Sequence, residues 1–243
     1  MRALAVLFAL VALALPSATG AGGNFTVYAA ASLTEVFPKI DSKPRFSFAG
    51  SDQLALQIRQ GAAVDVYAAA SPRYTQLLYQ DGLVGKPVTF AKNRLIVIVP
   101  KSNPANIHSV YDLRKSGVKV VIGDQGVPIG SYTRQLLDAL GIKDAVLRNV
   151  VSQETDVKGI VAKVALGEAD AGFVYRTDAK PVSAKVEKIF LPFWAQPPVR
   201  YQIAIVSSTP RKVEARAFIR QVLSKRGRML LRRAGFGLPR KKH

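Results

Sequence analysis

The chain has 243 residues, with 35 Lys and Arg against 16 Asp and Glu, for a formal net charge of +19 and an isoelectric point near 10.4. Hydrophobic residues make up 49% and the mean hydropathy is +0.13, which supports a packed core and excludes a disordered polyelectrolyte. There is no cysteine and there are two histidines, so disulfides, thiolate chemistry and cysteine or His-rich metal sites are excluded.

Arg2 precedes an apolar run over residues 3–15, which Pro16 breaks before the small residues 17–21. A charged start, a short apolar stretch and a small-residue exit predict a cleavable export signal over residues 1–21. The run is shorter than the roughly 20 residues a membrane-spanning helix needs. With no cysteine for lipid attachment, the expected location is the periplasm, with the protein free in solution. Strand-like and helix-like segments then alternate. Residues 25–29 read as a strand, and Ser32 follows as a helix N-cap with Glu35 at capping-box spacing. Asp41 to Pro44 stops that helix early. Residues 45–49 form the next strand, Gly50 and Ser51 open a helix that ends near Gly61, residues 64–68 are a strand and 72–80 a helix. Residues 94–99 are a β-branched strand closed by Pro100.

A second, similar cycle predicts a strand over 118–122, a glycine-rich turn over 123–130 and a helix over 131–140 stopped by Gly141. Residues 146–150 read as a strand, 156–166 as a helix, 171–175 as a strand, 192–198 as a loop and 201–206 as a strand. From Arg211 to His243 twelve basic residues face one acidic residue, Glu214, with apolar residues at roughly helical spacing. That stretch reads as an amphipathic helix with a solvated basic face. The alternation implies α/β layers. Nucleic-acid binding is not expected, because no aromatic interleaving or recognition motif accompanies the charge.

In α/β sheets ligands collect beyond the carboxyl ends of strands, where helices begin and free N–H groups carry partial positive charge. Ser32 and Ser51 each follow a strand and open a helix. Ile129 and Val157 offer backbone N–H groups at two further helix starts, and Tyr175 ends a strand. Each serine alone also reads as a plain N-cap, and Tyr175 as core packing; the matched placement points to an oxyanion cleft. Gly123, Gly126 and Gly130 have the wrong spacing for a dinucleotide fingerprint, and no Gly-Lys-Ser/Thr follows. His108 falls in a surface loop, no nucleophile elbow is present, and no catalytic residue is expected.

Ala-Ala-Ala-Ser-Leu-Thr (29–34), Phe-Ala-Gly-Ser (48–51), Gln-Ile-Arg-Gln-Gly-Ala (57–62), Val-Pro-Ile-Gly-Ser-Tyr (127–132), Asp-Val-Lys (156–158) and the run 166–175 together resemble the molybdate-binding periplasmic proteins of ABC importers. The resemblance covers nearly all of the chain after the signal. It implies a two-lobed, type II-like periplasmic binding protein with two chain crossings, placed near 94–99 and 201–206. One lobe would comprise 22–96 with 202–243, and the other 97–201. It also implies that Ser32, Ser51, the main chain of Ile129 and Val157, and Tyr175 hold molybdate or tungstate. The molybdenum would be bound only as its oxyanion, with no cofactor. The implied partner is an inner-membrane ABC permease, and the expected state is a monomer. A sulfate- or phosphate-binding protein is the alternative, with a secreted hydrolase or a regulatory sensor further off. Three departures from the family pattern stand out: Asp52 where a second hydroxyl is usual, Ile129 where alanine is usual, and a shortened stretch between Ser32 and Ser51.

Overall fold

The computed structural model describes residues 24–239. The expected export signal over 1–21 lies outside the described residues. The chain opens with β1 (Thr26–Ala30), a 3-10 turn (Ala31–Leu33), α1 (Phe37–Ile40), β2 (Arg45–Ala49), α2 (Ser51–Arg59), β3 (Val66–Ala69), α3 (Pro72–Gln80) and β4 (Val88–Lys92). Next come β5 (Leu95–Pro100), a 3-10 turn (Val110–Arg114), β6 (Val120–Gly123), α4 (Pro128–Ala139), α5 (Lys143–Leu147), β7 (Val150–Glu154), α6 (Val157–Ala165), β8 (Ala171–Tyr175), β9 (Val186–Phe190) and a 3-10 turn (Phe193–Ala195). The chain closes with β10 (Arg200–Ile205), α7 (Lys212–Leu223) and α8 (Lys225–Ala234).

These strands make two five-stranded sheets with the same plan. The first has the order β2-β1-β3-β10-β4 and the second β7-β6-β8-β5-β9. In each sheet three parallel strands come from the local βα repeats, and the fourth position is an antiparallel strand, β10 or β5, that enters from the other lobe. Two lobes and two crossings follow directly. The first crossing is Asn93–Arg94 and the second spans residues 191–199. Both lie just before β5 and β10 rather than inside them, so Leu95 and Ile96 belong with the second sheet and Arg200 and Tyr201 with the first. The crossings are tied together. The Gln196 side chain accepts from Leu95 N at 2.9 Å and donates to Leu95 O at 2.8 Å.

Packing explains most of the elements. Every residue of β5 is buried, as expected for a strand covered on both faces. In the first lobe Phe37, Phe46, Phe90 and Phe218 form a tilted and edge-to-face cluster under α1 and α7. Truncating a fully enclosed ring such as Phe218 to alanine would cost about 3–5 kcal/mol.

Three expectations are corrected. Residues 146–150 are not a strand; Ile142 and Val146 lie four apart on the buried side of α5 and its entry turn, and β7 starts only at Val150. β4 and β9 were not anticipated: both are sheet edges, and β9 buries only Val186 fully, so neither shows a clean period of two. The single basic C-terminal helix is two helices. Ser224 breaks the run with ψ 166 and caps α8 through its hydroxyl, which accepts from Gly227 N at 3.0 Å. Gly227 permits the sharp turn, since a Cβ there would stand 2.2 Å from the Gln221 carbonyl oxygen. Among the described residues no helix is long and apolar enough to cross a membrane.

Candidate functional site

A small cavity lies between the lobes, and Ser32, Ser51, Ile129, Val157 and Tyr175 all line it. Its volume is only ≈ 20 Å³, room for one small solute. Ser32 comes from the turn after β1 and Ser51 from the first residue of α2 after β2. Ile129 and Val157 begin α4 and α6, after β6 and β7, and Tyr175 is the last residue of β8. The cavity therefore sits beyond the carboxyl ends of the parallel strands of both sheets.

The serines do not act as the caps their positions suggest. Ala30 and Gly50 occupy the cap positions, and no capping box forms between Ser32 and Glu35. The turn after β1 is a tight 3-10 segment, which leaves Ser32 inside it and turned inward. Both hydroxyls are instead held by fixed partners. Ser51 Oγ accepts from Ala70 N at 3.1 Å, which leaves its own proton for the cavity. Asn93 Nδ2 donates to the Tyr201 hydroxyl at 3.4 Å, and the Tyr201 hydroxyl meets Ser32 Oγ at 2.8 Å. With Asn93 oriented by Arg94 N, which donates to its Oδ1 at 2.9 Å, Asn93, Tyr201 and Ser32 form one hydrogen-bonded chain that fixes the position of the Ser32 hydroxyl. The sequence reading missed Asn93 and Tyr201. Asn93 sits at the first crossing and also donates to Thr177 Oγ1 at 2.9 Å, so this chain spans both lobes.

The second lobe supplies its donors in the same way. The Asp156 side chain caps α6 by accepting from Lys158 N at 2.6 Å and Gly159 N at 3.3 Å, which leaves Val157 N–H for the cavity. Ile129 is the second residue of α4, where backbone N–H groups have no partner within the helix. Gly130 is obligatory beside it, since a Cβ there would lie 2.0 Å from Asp124 O. The Tyr175 hydroxyl is buried without a hydrogen-bond partner, with its ring edge-on to Tyr201 at 5.9 Å. Burial pushes both tyrosines well above the ordinary phenol range, so each keeps its proton and remains a donor.

Among the described residues no Lys or Arg lines the cavity. Lys158, next in sequence to Val157, lies 3.7 Å from Glu35 and 3.6 Å from Asp178. Asp178 is fully buried, and neither of its oxygens has a hydrogen-bond partner. Burial raises its pKa to about 7, and the Lys158 ammonium offsets only part of that. Asp52 does not line the cavity. Burial raises its pKa, with the facing Asp124 carboxylate adding to the effect, and its Oδ1 has no partner. The lobes touch around the rim: the Tyr74 hydroxyl donates to Gly126 O, and Gly50 lies against Thr155 O. Among the described residues no group of three or more His, Asp or Glu is placed to hold a metal ion.

Two sheets of like plan that enclose a small pocket rich in hydrogen-bond donors define a two-lobed solute-binding protein. The chain belongs to the bacterial extracellular solute-binding proteins, whose family model matches residues 25–237. It is 37% identical over 226 residues to the molybdate-binding protein ModA of Mycobacterium tuberculosis, covering 89% of this chain and 85% of that one. The Azotobacter vinelandii periplasmic molybdate-binding protein superposes with a TM-score of 0.78 at 23% identity, over 89% of this chain and 100% of that one. The sulfate-binding protein SubI of M. tuberculosis superposes with a TM-score of 0.73 at 18% identity, over 87% of this chain and 85% of that one. The latter two likenesses show the fold alone; one fold serves different anions, so the choice of ligand rests on the pocket.

Proposed function

We propose that the protein captures molybdate, and tungstate with it, between its lobes and presents it to an ABC transporter outside the cytoplasm. The observation that carries the choice of site is the Tyr175 hydroxyl, buried and unpartnered at a cavity otherwise lined by small residues and helix starts. A buried donor without an acceptor is costly, by about 1–3 kcal/mol, and an oxyanion oxygen removes that cost. Ser32, Ser51, Ile129 N–H and Val157 N–H supply the other donors, and the helix N-termini add a compensating field without a formal cation.

The chemistry of the donors selects the ion. The groups named all donate. A fully ionised tetrahedral dianion accepts from every one of them. Sulfate has the right charge but shorter bonds, so donors held for a larger ion are left with stretched hydrogen bonds. The protein works as a binding protein and not as an enzyme, as a monomer in the periplasm, after removal of residues 1–21. Its lobes close about the crossings at 93–94 and 191–199.

Thermal unfolding with molybdate, tungstate, sulfate and phosphate tests the reading. A ligand at about 1,000 times its dissociation constant adds about 4 kcal/mol of stability, a shift of several degrees. Shifts with molybdate and tungstate alone support it. A larger shift with sulfate or phosphate replaces the ligand, and no shift with any of the four overturns the assignment.

A further inference from the structure

On the far side of Tyr201 from the ligand cavity lies a second, larger groove of ≈ 610 Å³. Its walls carry Lys92, Arg94, Arg176 and Arg200 and no acidic residue. Phe236 lines it and packs edge-on against Tyr201 at 5.3 Å, which separates it from the ligand pocket. Beside it the end of β9 and the second crossing throw three large aromatic side chains into solvent within five residues. Phe190 is 70% exposed, Phe193 73% and Trp194 68%. The Arg94 guanidinium lies 4.8 Å from the centre of the Phe193 ring, so charge and apolar surface form one continuous face.

We propose that this face docks the protein on the surface of an anionic phospholipid bilayer. Exposed tryptophan and phenylalanine beside Arg and Lys is the composition that settles at the headgroup level, with rings at the acyl boundary and cations on the phosphates. Charge complementarity favours the anionic bilayer: the chain carries +19 overall, and four of its cations line this groove with no acidic residue among the described lining. Tyr201 separates the face from the cavity, so docking leaves the ligand site uncovered. A binding protein held this way searches a plane for its transporter. The inference does not depend on which anion the cavity takes.

The chain holds one tryptophan, so Trp194 is itself the probe of this face. Vesicles of phosphatidylglycerol and phosphatidylcholine are titrated into the mature protein left after removal of residues 1–21, against vesicles of phosphatidylcholine alone. Sedimentation is read together with Trp194 emission. Binding to the anionic vesicles, with a blue shift and protection of Trp194 from an aqueous quencher, is expected. It should weaken at least tenfold in 1 M salt, where the Debye length falls to about 3 Å. The double variant Phe190→Ser and Phe193→Ser, and separately Arg94→Gln with Arg176→Gln, should each weaken it at least tenfold while the anion-induced thermal shift is retained. Three results overturn the proposal: no vesicle binding, equal binding to uncharged vesicles, or binding without any change at Trp194. A Trp194 shift with poly-glutamate but not with vesicles also overturns it and reassigns the face to an acidic protein.

Discussion

Gly50 gives the sharpest test of how the lobes close. It caps α2 with φ −57 and ψ 136, a conformation open to alanine. An added Cβ would stand 2.5 Å from Thr155 O on the opposite lobe, next to the Asp156 cap and the Val157 donor. Asp52 Oδ1, at 2.7 Å, is the free end of a side chain and can swing aside, but the Thr155 carbonyl is fixed by backbone. The contact is about 0.9 Å short of ordinary van der Waals separation, so the lobes of Gly50→Ala must stop that far apart at this point. A facing donor that would reach an oxyanion at about 2.9 Å then sits near 3.8 Å, beyond hydrogen-bond length. Losing two such bonds to a charged acceptor costs about 3–6 kcal/mol, or roughly a hundred- to ten-thousandfold in Kd. The ligand-free protein opens and escapes the clash, so its Tm should hold or rise slightly, as alanine lowers the entropy of the unfolded chain by about 0.4–1 kcal/mol. Calorimetric titration with molybdate and a ligand-free melting curve read both sides. A Kd within about threefold of the parent, under 1 kcal/mol, would refute the closed contact between Gly50 and Thr155.

Removing single donors should act more mildly. Ser51→Ala and Tyr175→Phe each delete one hydrogen bond to a charged acceptor, so each should weaken molybdate binding about 10- to 150-fold in titration calorimetry. Tyr201→Phe leaves the ligand donors in place but frees Ser32 to rotate; the expected loss is about 2- to 10-fold, smaller than for Ser51→Ala. Asp178 makes stability depend on pH. Its folded pKa of about 7 lies above the ordinary 3.8 because of burial, so the native state holds a proton that the unfolded chain has released. That contribution is complete below pH 3.8 and is lost as pH rises through 7, about 4 kcal/mol in all. Asp178→Asn should flatten the fall in Tm between pH 4 and pH 8 by that amount, and an unchanged profile would count against the buried, unpartnered carboxyl.

The sequence made the repeating strands and the helix starts legible because both are local signals. β-branched runs mark β5 and β6, and Asp156 announces α6 from its own side chain, whereas α4 starts at Pro128, three residues before the expected 131. What stayed hidden is non-local. The capping box expected at Ser32 fails because the turn after β1 winds as a 3-10 segment. The partner that fixes the serine, Tyr201, lies 169 residues away. Asn93 reads as an ordinary residue between two strands, and only the meeting of the crossings gives it Thr177 and Tyr201 to bond. Edge strands escaped for a related reason: β9 needs only one fully buried residue, so its sequence carries almost no period.

The placement of charge explains why a chain of +19 keeps cations off its ligand. A lysine in the cavity would attract every anion with similar strength and would reward a smaller ion as much as a larger one. Lys158, next to the Val157 donor, lies instead 3.7 Å from Glu35 of the first lobe and 3.6 Å from Asp178 of the second. Long-range positive charge raises the encounter rate of any anion, and salt screens it beyond about 10 Å. Fixed neutral donors such as Ser51, Val157 and Tyr175 act only at contact and respond to the ion's size and protonation. Attraction and selection are thereby separated in space. Added salt should slow association far more than it speeds dissociation, a division that a cationic pocket would not show.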